Sequence, residues 1–400
     1  MERVMLGVAV GFCWFSLYTY VAILPGYALS LGASYKMVGL ITGAYGFTQM
    51  ALRLPLGVVS DFFGRRKIFI IWGLVFCAVS GFGLWYTDSV WGLLFFRGLA
   101  GIAATAWVLH TILFVSYYPA DRTPQAMGII NAVSNGGQLL ALFLGGLIAM
   151  YISERATFLL GAVGGSLGLL VGLFVKDAPV AKPAAVRLGD LFKMAQEPML
   201  ALTSLLAMIL QLLTYGAIYG FTPVVARKIG VTNFELGMLP ALFTVPGVFA
   251  SFFSGTFFTE RVGIRRTLLI GFVLTIIACV AIPYCTSIWE LYATQFVSGF
   301  GRGLLFPVLM ALSLKNIDPA KKTTAMGYFQ TVYGAGMFVG PVVCGLIADS
   351  FGLVYSFWAI GLILTLGAVS AQWLFNFAAE THHSTFSNMG EPAVNKDKTF

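Results

Sequence analysis

The chain has 400 residues, of which 58% are hydrophobic, 15% aromatic and only 10% charged, with a mean hydropathy of +0.87. Soluble domains carry about 25% charged residues, so this chain cannot cover a water-facing surface. Its composition excludes a soluble enzyme, a nucleic-acid-binding protein and a disordered chain. The net charge of +8 comes from short basic clusters between apolar runs, a pattern of topology signals rather than of a polyanion-binding stripe.

In chain order, apolar runs long enough to cross about 30 Å of hydrocarbon fall at approximately 4–26, 36–56, 68–86, 90–115, 126–150 and 156–175, then 199–222, 235–258, 267–286, 288–314, 324–349 and 354–377. The short alternating segments of a barrel are absent. The expected fold class is therefore an all-α polytopic membrane protein with twelve transmembrane helices. The first run follows only Met1, Glu2 and Arg3, is too long for a signal peptide and has no small-residue cleavage pattern, so it is expected to stay as the first helix. The longest internal polar stretch, 176–198, divides a bundle over 1–175 from a second over 199–377. Pro179, Pro183 and Pro198 break it, leaving room for a short surface helix over 188–195, and a polar tail occupies 378–400. With the N-terminus inside, seventeen of the 24 Lys and Arg fall on the cytoplasmic side, four on the other and three within spans. Both termini are accordingly expected in the cytoplasm of a multi-pass plasma-membrane protein. The lack of large extramembrane domains favours a prokaryotic inner membrane.

The halves repeat. AMGIINAVSNGGQLLALFLGGLIA begins at Ala126 and AMGYFQTVYGAGMFVGPVVCGLIA at Ala325, an offset of 199 that also carries Asp61 to Glu260, Gly64 to Gly263 and Arg66 to Arg265. Because six is even, such a repeat is parallel rather than inverted.

At the end of the second run stands GVVSDFFGRRK, from Gly57 to Lys67. A glycine there permits close helix approach and another a tight turn, while the basic residues suit the headgroup layer. Gly57, Asp61, Gly64, Arg65 and Arg66 match the signature between helices 2 and 3 of the major facilitator superfamily, and Phe62 stands where that family usually has a basic residue. The chain thus resembles that family over about residues 4–377. The resemblance implies two pseudo-symmetric six-helix bundles, helices 1, 4, 7 and 10 at the centre, and a cytoplasmic latch between the halves, with Glu260, Gly263 and Arg265 as its second copy. LLFFRGLAGIAATAW resembles the family's helix-4 motif and implies a part in proton coupling for Arg97. GQLLALFLGG, Gly137 to Gly146, keeps Gly137, Gly145 and Gly146 of the antiporter motif but has Ala141 and Leu142 in place of its Gly-Pro pair. The fuller copy is GMFVGPVVCG in the eleventh run, with Gly336, Gly340 and Pro341.

Polar residues recur on single helical faces: Thr42, Tyr45, Gln49 and Arg53; Asn131, Asn135 and Gln138; Gln211, Thr214, Tyr215 and Tyr219; Gln295, Ser298 and Arg302. Inside a membrane such groups must be satisfied by one another, by water or by cargo. Runs 3, 6, 9 and 12 carry few polar groups and read as lipid-facing. All sixteen Asp and Glu lie in loops, tails or span ends, whereas Arg97 and Arg302 lie within spans. Buried positive charge without buried negative charge suits an anionic or neutral cargo. The expectation is a secondary active transporter of a small organic solute, working by alternating access as a monomer and coupled to an ion gradient, protons being a candidate. Proton-coupled drug or metabolite efflux is the alternative. No Walker motif, metal cluster or catalytic cluster is visible, so neither ATP, a cofactor nor enzymatic chemistry is expected. The five cysteines read as apolar packing residues.

Overall fold

The computed structural model describes residues 1–63, 65–177, 194–318 and 321–387. Each of the twelve apolar runs is helical. α1 covers Glu2–Tyr18 and resumes as Leu24–Ser30; α2 is Tyr35–Phe63, α3 Arg66–Tyr86, α4 Val90–Thr105 continued by Trp107–Ser116, α5 Thr123–Tyr151 and α6 Glu154–Leu173. In the second half α7 is Pro198–Leu212, a π-helical stretch Leu213–Phe221 and Thr222–Lys228. α8 is Asn233–Phe253 with a second π stretch Ser254–Val262, and α9 to α12 are Ile264–Ala281, Ile288–Ser313, Lys322–Phe351 and Leu353–Ser387. Gly64, most of the 176–198 connector, including the surface helix expected at 188–195, and the tail from 388 lie outside the described residues.

Among the described residues, ten helices are long and apolar enough to cross a membrane. α1 is cut short of that length by the break after Tyr18, and the apolar run of α2 is diluted by Gln49 and Arg53. Several helices outrun their apolar stretches, α2 to Phe63 and α7 to Lys228, since backbone pairing continues beyond the hydrocarbon. Three helix starts on the face opposite the termini are fixed by side-chain caps. Ser153 accepts from the Ala156 amide, and Thr232 with Glu235 and Ser287 with Glu290 form reciprocal capping boxes.

The duplication is visible in the helix starts: α5 and α11 begin at Thr123 and Lys322, α6 and α12 at Glu154 and Leu353, both 199 apart. Helix packing repeats as well. A Cβ on Gly137 would lie 2.5 Å from the Gly11 carbonyl oxygen of α1, and one on Gly336 2.2 Å from that of Met208 in α7. Only glycine permits such approach, and in a bilayer close packing is what holds helices together. Burial alone does not sort the helices. α7 is the most buried at 72%; α6, α9 and α12 are 44% buried, but so is α11, α5 is lower at 33%, and α3, also expected to face lipid, equals α8 at 50%. α6, α9 and α12 present Leu167, Leu170, Val273, Ile277, Leu362 and Leu366 outward, each more than 40% exposed, as lipid-facing helices should.

Candidate functional site

α1 and α7 both lose regular α geometry at the same depth, at residues 19–23 and 213–221. Irregular backbone is tolerated inside a membrane only where protein or a polar cleft satisfies it, and π segments favour functional sites. Here the breaks present Tyr18, Tyr20, Tyr215 and Tyr219. Tyr18 meets Tyr219 edge-on at 6.2 Å between centroids, and Tyr219 in turn meets Tyr215 edge-on at 5.4 Å. Tyr45 of α2 stacks on Tyr215 across the boundary between the halves.

Two arginines flank this cluster. Arg97, 3% exposed, has its guanidinium 4.4 Å from the centroid of Tyr45 and donates to Tyr20 Oη at 3.5 Å. It turns inward to aromatic faces, not outward to the interface. Arg302 donates to Gln211 Oε1 at 3.5 Å and lies 5.8 and 5.4 Å from the rings of Phe243 and Phe306. Tyr219 packs on Phe243 at 6.1 Å, so rings connect one arginine to the other through both halves. Around them Thr42 Oγ1, Tyr45 Oη, Gln49 Oε1, Arg97 Nε, Gln295 Oε1, Ser298 Oγ and Arg302 Nε are buried without a hydrogen-bond partner. Such groups are costly in apolar surroundings, and their convergence marks the middle of the molecule as its polar site. Among the described residues no Asp or Glu is buried. His110 is buried on α4 without a partner.

The expected residues divide. Thr42, Tyr45, Gln49, Arg97, Gln211, Tyr215, Gln295, Ser298 and Arg302 belong to this region. Asn131 is exposed and donates to the Met127 carbonyl of its own helix at 2.8 Å. Tyr18 and Tyr20 were not foreseen; the pair of tyrosines in an otherwise apolar first run was the available signal. In the basic loops, Gly64 and the side chains of Gly57 and Asp61 lie outside the described residues. Arg65 is exposed and Arg66 is buried. Its amide and that of Lys67 donate to Asp177 Oδ1. Glu260 is exposed, and Gly263 takes a φ of +88° that suits glycine.

The halves are closed at the face opposite the termini. Glu154 and Arg227 pair at 2.7 Å. Asp349 of α11 accepts from the amides of Tyr35 and Lys36 at 2.8 and 2.9 Å, and Asn233 donates to the Ala149 carbonyl at 3.1 Å. α2 and α11 stay in contact inward to Arg53, which donates to Tyr333 Oη at 3.0 Å. α5 and α8 do not. Gly146 packs against Phe234 and Gly237, whereas a Cβ on Gly128 would meet nothing within 4 Å. Gly128 lies about five turns before Gly146 on the same helical face. On the α5–α8 side the halves therefore part toward the face bearing the termini, while α2 and α11 stay paired as far as Arg53.

The family model of the Major Facilitator Superfamily matches residues 6–208 and again 204–397, once per half. The chain belongs to that superfamily. It is a multi-span membrane transporter and not an enzyme. Among its relatives, the multi-drug resistance efflux pump PmrA of Streptococcus pneumoniae is 27% identical over 367 residues, 89% of this chain and 90% of PmrA. The multidrug resistance protein MdtG of Proteus mirabilis is 24% identical, covering 82% and 84%. In fold the chain is similar to a bacterial homologue of the human lysosomal transporter Spinster in an inward-facing, unoccupied conformation, with a TM-score of 0.78 at 16% identity over 93% of this chain and 96% of that one. It is also similar to the nucleoside transporter NupG, with a TM-score of 0.76 at 18% identity over 94% and 99%.

Proposed function

We propose that this superfamily member carries out secondary active transport by alternating access, binding a small organic solute, anionic or neutral, between Arg97 and Arg302. The observation that carries the reading is Arg302. It is partly exposed beside Gln211, its Nε has no partner, and no buried carboxylate among the described residues balances it. An unpaired charge at mid-membrane costs about 2.5–3.5 kcal/mol or more, and an anionic group on the cargo offsets that through charge-assisted, bidentate hydrogen bonds. The termini and the basic loops face the cytoplasm, so the parted end opens inward. Transport exchanges this arrangement for one parted at the Glu154–Arg227 end, with the Gly57–Arg66 loop, Glu260, Gly263 and Arg265 acting as the opposing latch.

The test is a panel of organic anions, neutral solutes and lipophilic cations, measured for uptake and efflux in vesicles with an imposed pH gradient. Transport confined to lipophilic cations would remove the anion reading. Reporter fusions after Lys193 and after Phe400 should read cytoplasmic and one near Lys228 external; an external readout at Lys193 would overturn the topology. A second reading, proton-coupled drug or metabolite efflux, is favoured by PmrA and MdtG, both named for multidrug resistance.

A further inference from the structure

The two halves carry matching basic loops that end differently. Asp177 follows α6 and holds its carboxylate 3.3 Å from the amide nitrogens of Arg66 and Lys67 at the start of α3. At the offset of 199 these positions become Arg265, Arg266 and Asn376, so a neutral residue stands where the first half has an anion. In the second half a cavity of about 460 Å³ lies at this place, lined by Gly263, Arg265, Arg266, Leu269 and Gln372 among others. Gln372 clamps Arg265 from both sides, accepting from its Nε at 2.6 Å and donating to its carbonyl at 3.2 Å. Among the described residues, neither Nη nitrogen of Arg265 has a hydrogen-bond partner. Arg266 and Arg261 are exposed, and the exposed Glu260 is the acidic neighbour, leaving three arginines to one carboxylate.

The cavity is also continuous with lipid-facing surface. From Leu269, one wall of it, Val273 and Ile277 follow at i+4 and i+8 along α9, with exposures of 42, 42 and 60%. A charged cup opening onto an aliphatic strip has the two-part chemistry of a phospholipid. We propose that this cavity binds one anionic phospholipid, its phosphate against Arg265 and Arg266 and an acyl chain along Leu269, Val273 and Ile277. The first amides of α9, which no side chain caps, add donors of the kind that Asp177 occupies in the first half.

Native mass spectrometry of the full chain released from mixed phosphatidylglycerol and phosphatidylcholine nanodiscs tests this. One phosphatidylglycerol should be retained in preference to phosphatidylcholine. Arg265→Gln with Arg266→Gln should lower that retention by about fivefold for each arginine removed. Lys321→Gln, an exposed basic residue of another loop, should leave it unchanged. Equal retention of the two lipids, or equal loss with Lys321→Gln, would overturn the proposal. Displacement of the lipid by inorganic phosphate would assign the cavity to a soluble anion and overturn it too.

Discussion

Tyr45 of the first half lies stacked on Tyr215 of the second, ring centroids 6.0 Å apart and planes inclined by 16°. Arg97 holds the Tyr45 ring by a cation–π contact at 4.4 Å, so a buried charge and a cross-half contact share one ring. Aromatic pairs contribute about 0.5–1.5 kcal/mol beyond their buried area. Tyr45→Ala should therefore shift the population toward the state parted at the opposite face by about two- to tenfold. Distances between spin labels at Ser34 and Tyr284, exposed on opposite halves of that face, measure it; an unchanged distribution would deny the stack a gating part.

The Glu154–Arg227 pair should behave the same way for a different reason. Its side chains are 23 and 27% exposed, between the surface and buried cases, so its loss is expected to cost about 1 kcal/mol, roughly a fivefold population change. Glu154→Gln should widen the same label distance, and high salt should mimic part of the effect in the wild type. A salt-independent wild type with an unaltered variant would leave closure to helix packing alone.

Arg302→Lys keeps the charge but loses the planar fork, so cargo binding should weaken while membrane insertion is preserved. Arg302→Gln should weaken it further. Binding by purified variants at matched folded fraction separates this from a prop between helices, which would lower folded yield instead.

Asp61→Asn should give a folded, inserted protein that transports far more slowly, because the motif resemblance assigns Asp61 to a latch made and broken in each cycle. Normal turnover at normal expression is the outcome that would end that assignment.

Gly145→Ala tests the packing of α1 on α5. A Cβ there would lie 2.0 Å from the Thr19 carbonyl oxygen, an atom at the break in α1. Overpacking of this kind costs about 1–3 kcal/mol, so the melting temperature in detergent should fall. Gly128→Ala, which meets open space, should leave it close to wild type.

The sequence by itself determined the class, the duplication and the polar faces. Hydrophobic run length is set by the bilayer, and helical periodicity places Thr42, Tyr45 and Gln49 on one side of α2 before any neighbour is known. Intramembrane arginines are costly enough to stand out from composition alone. The tertiary structure decided which faces meet. Tyr18 and Tyr20 look like ordinary apolar-run residues until the backbone break in α1 turns them toward Tyr215 and Arg97. Asn131 shares a stripe with Asn135, and the structure adds that one of its amide hydrogens bonds the Met127 carbonyl. Asp177 reads as one more loop charge until it meets the amides of Arg66 and Lys67, 110 or more residues away. Periodicity assigns a residue to a face of its own helix, but contacts between helices far apart in sequence depend on how glycines let the backbones approach, and no local pattern encodes that register.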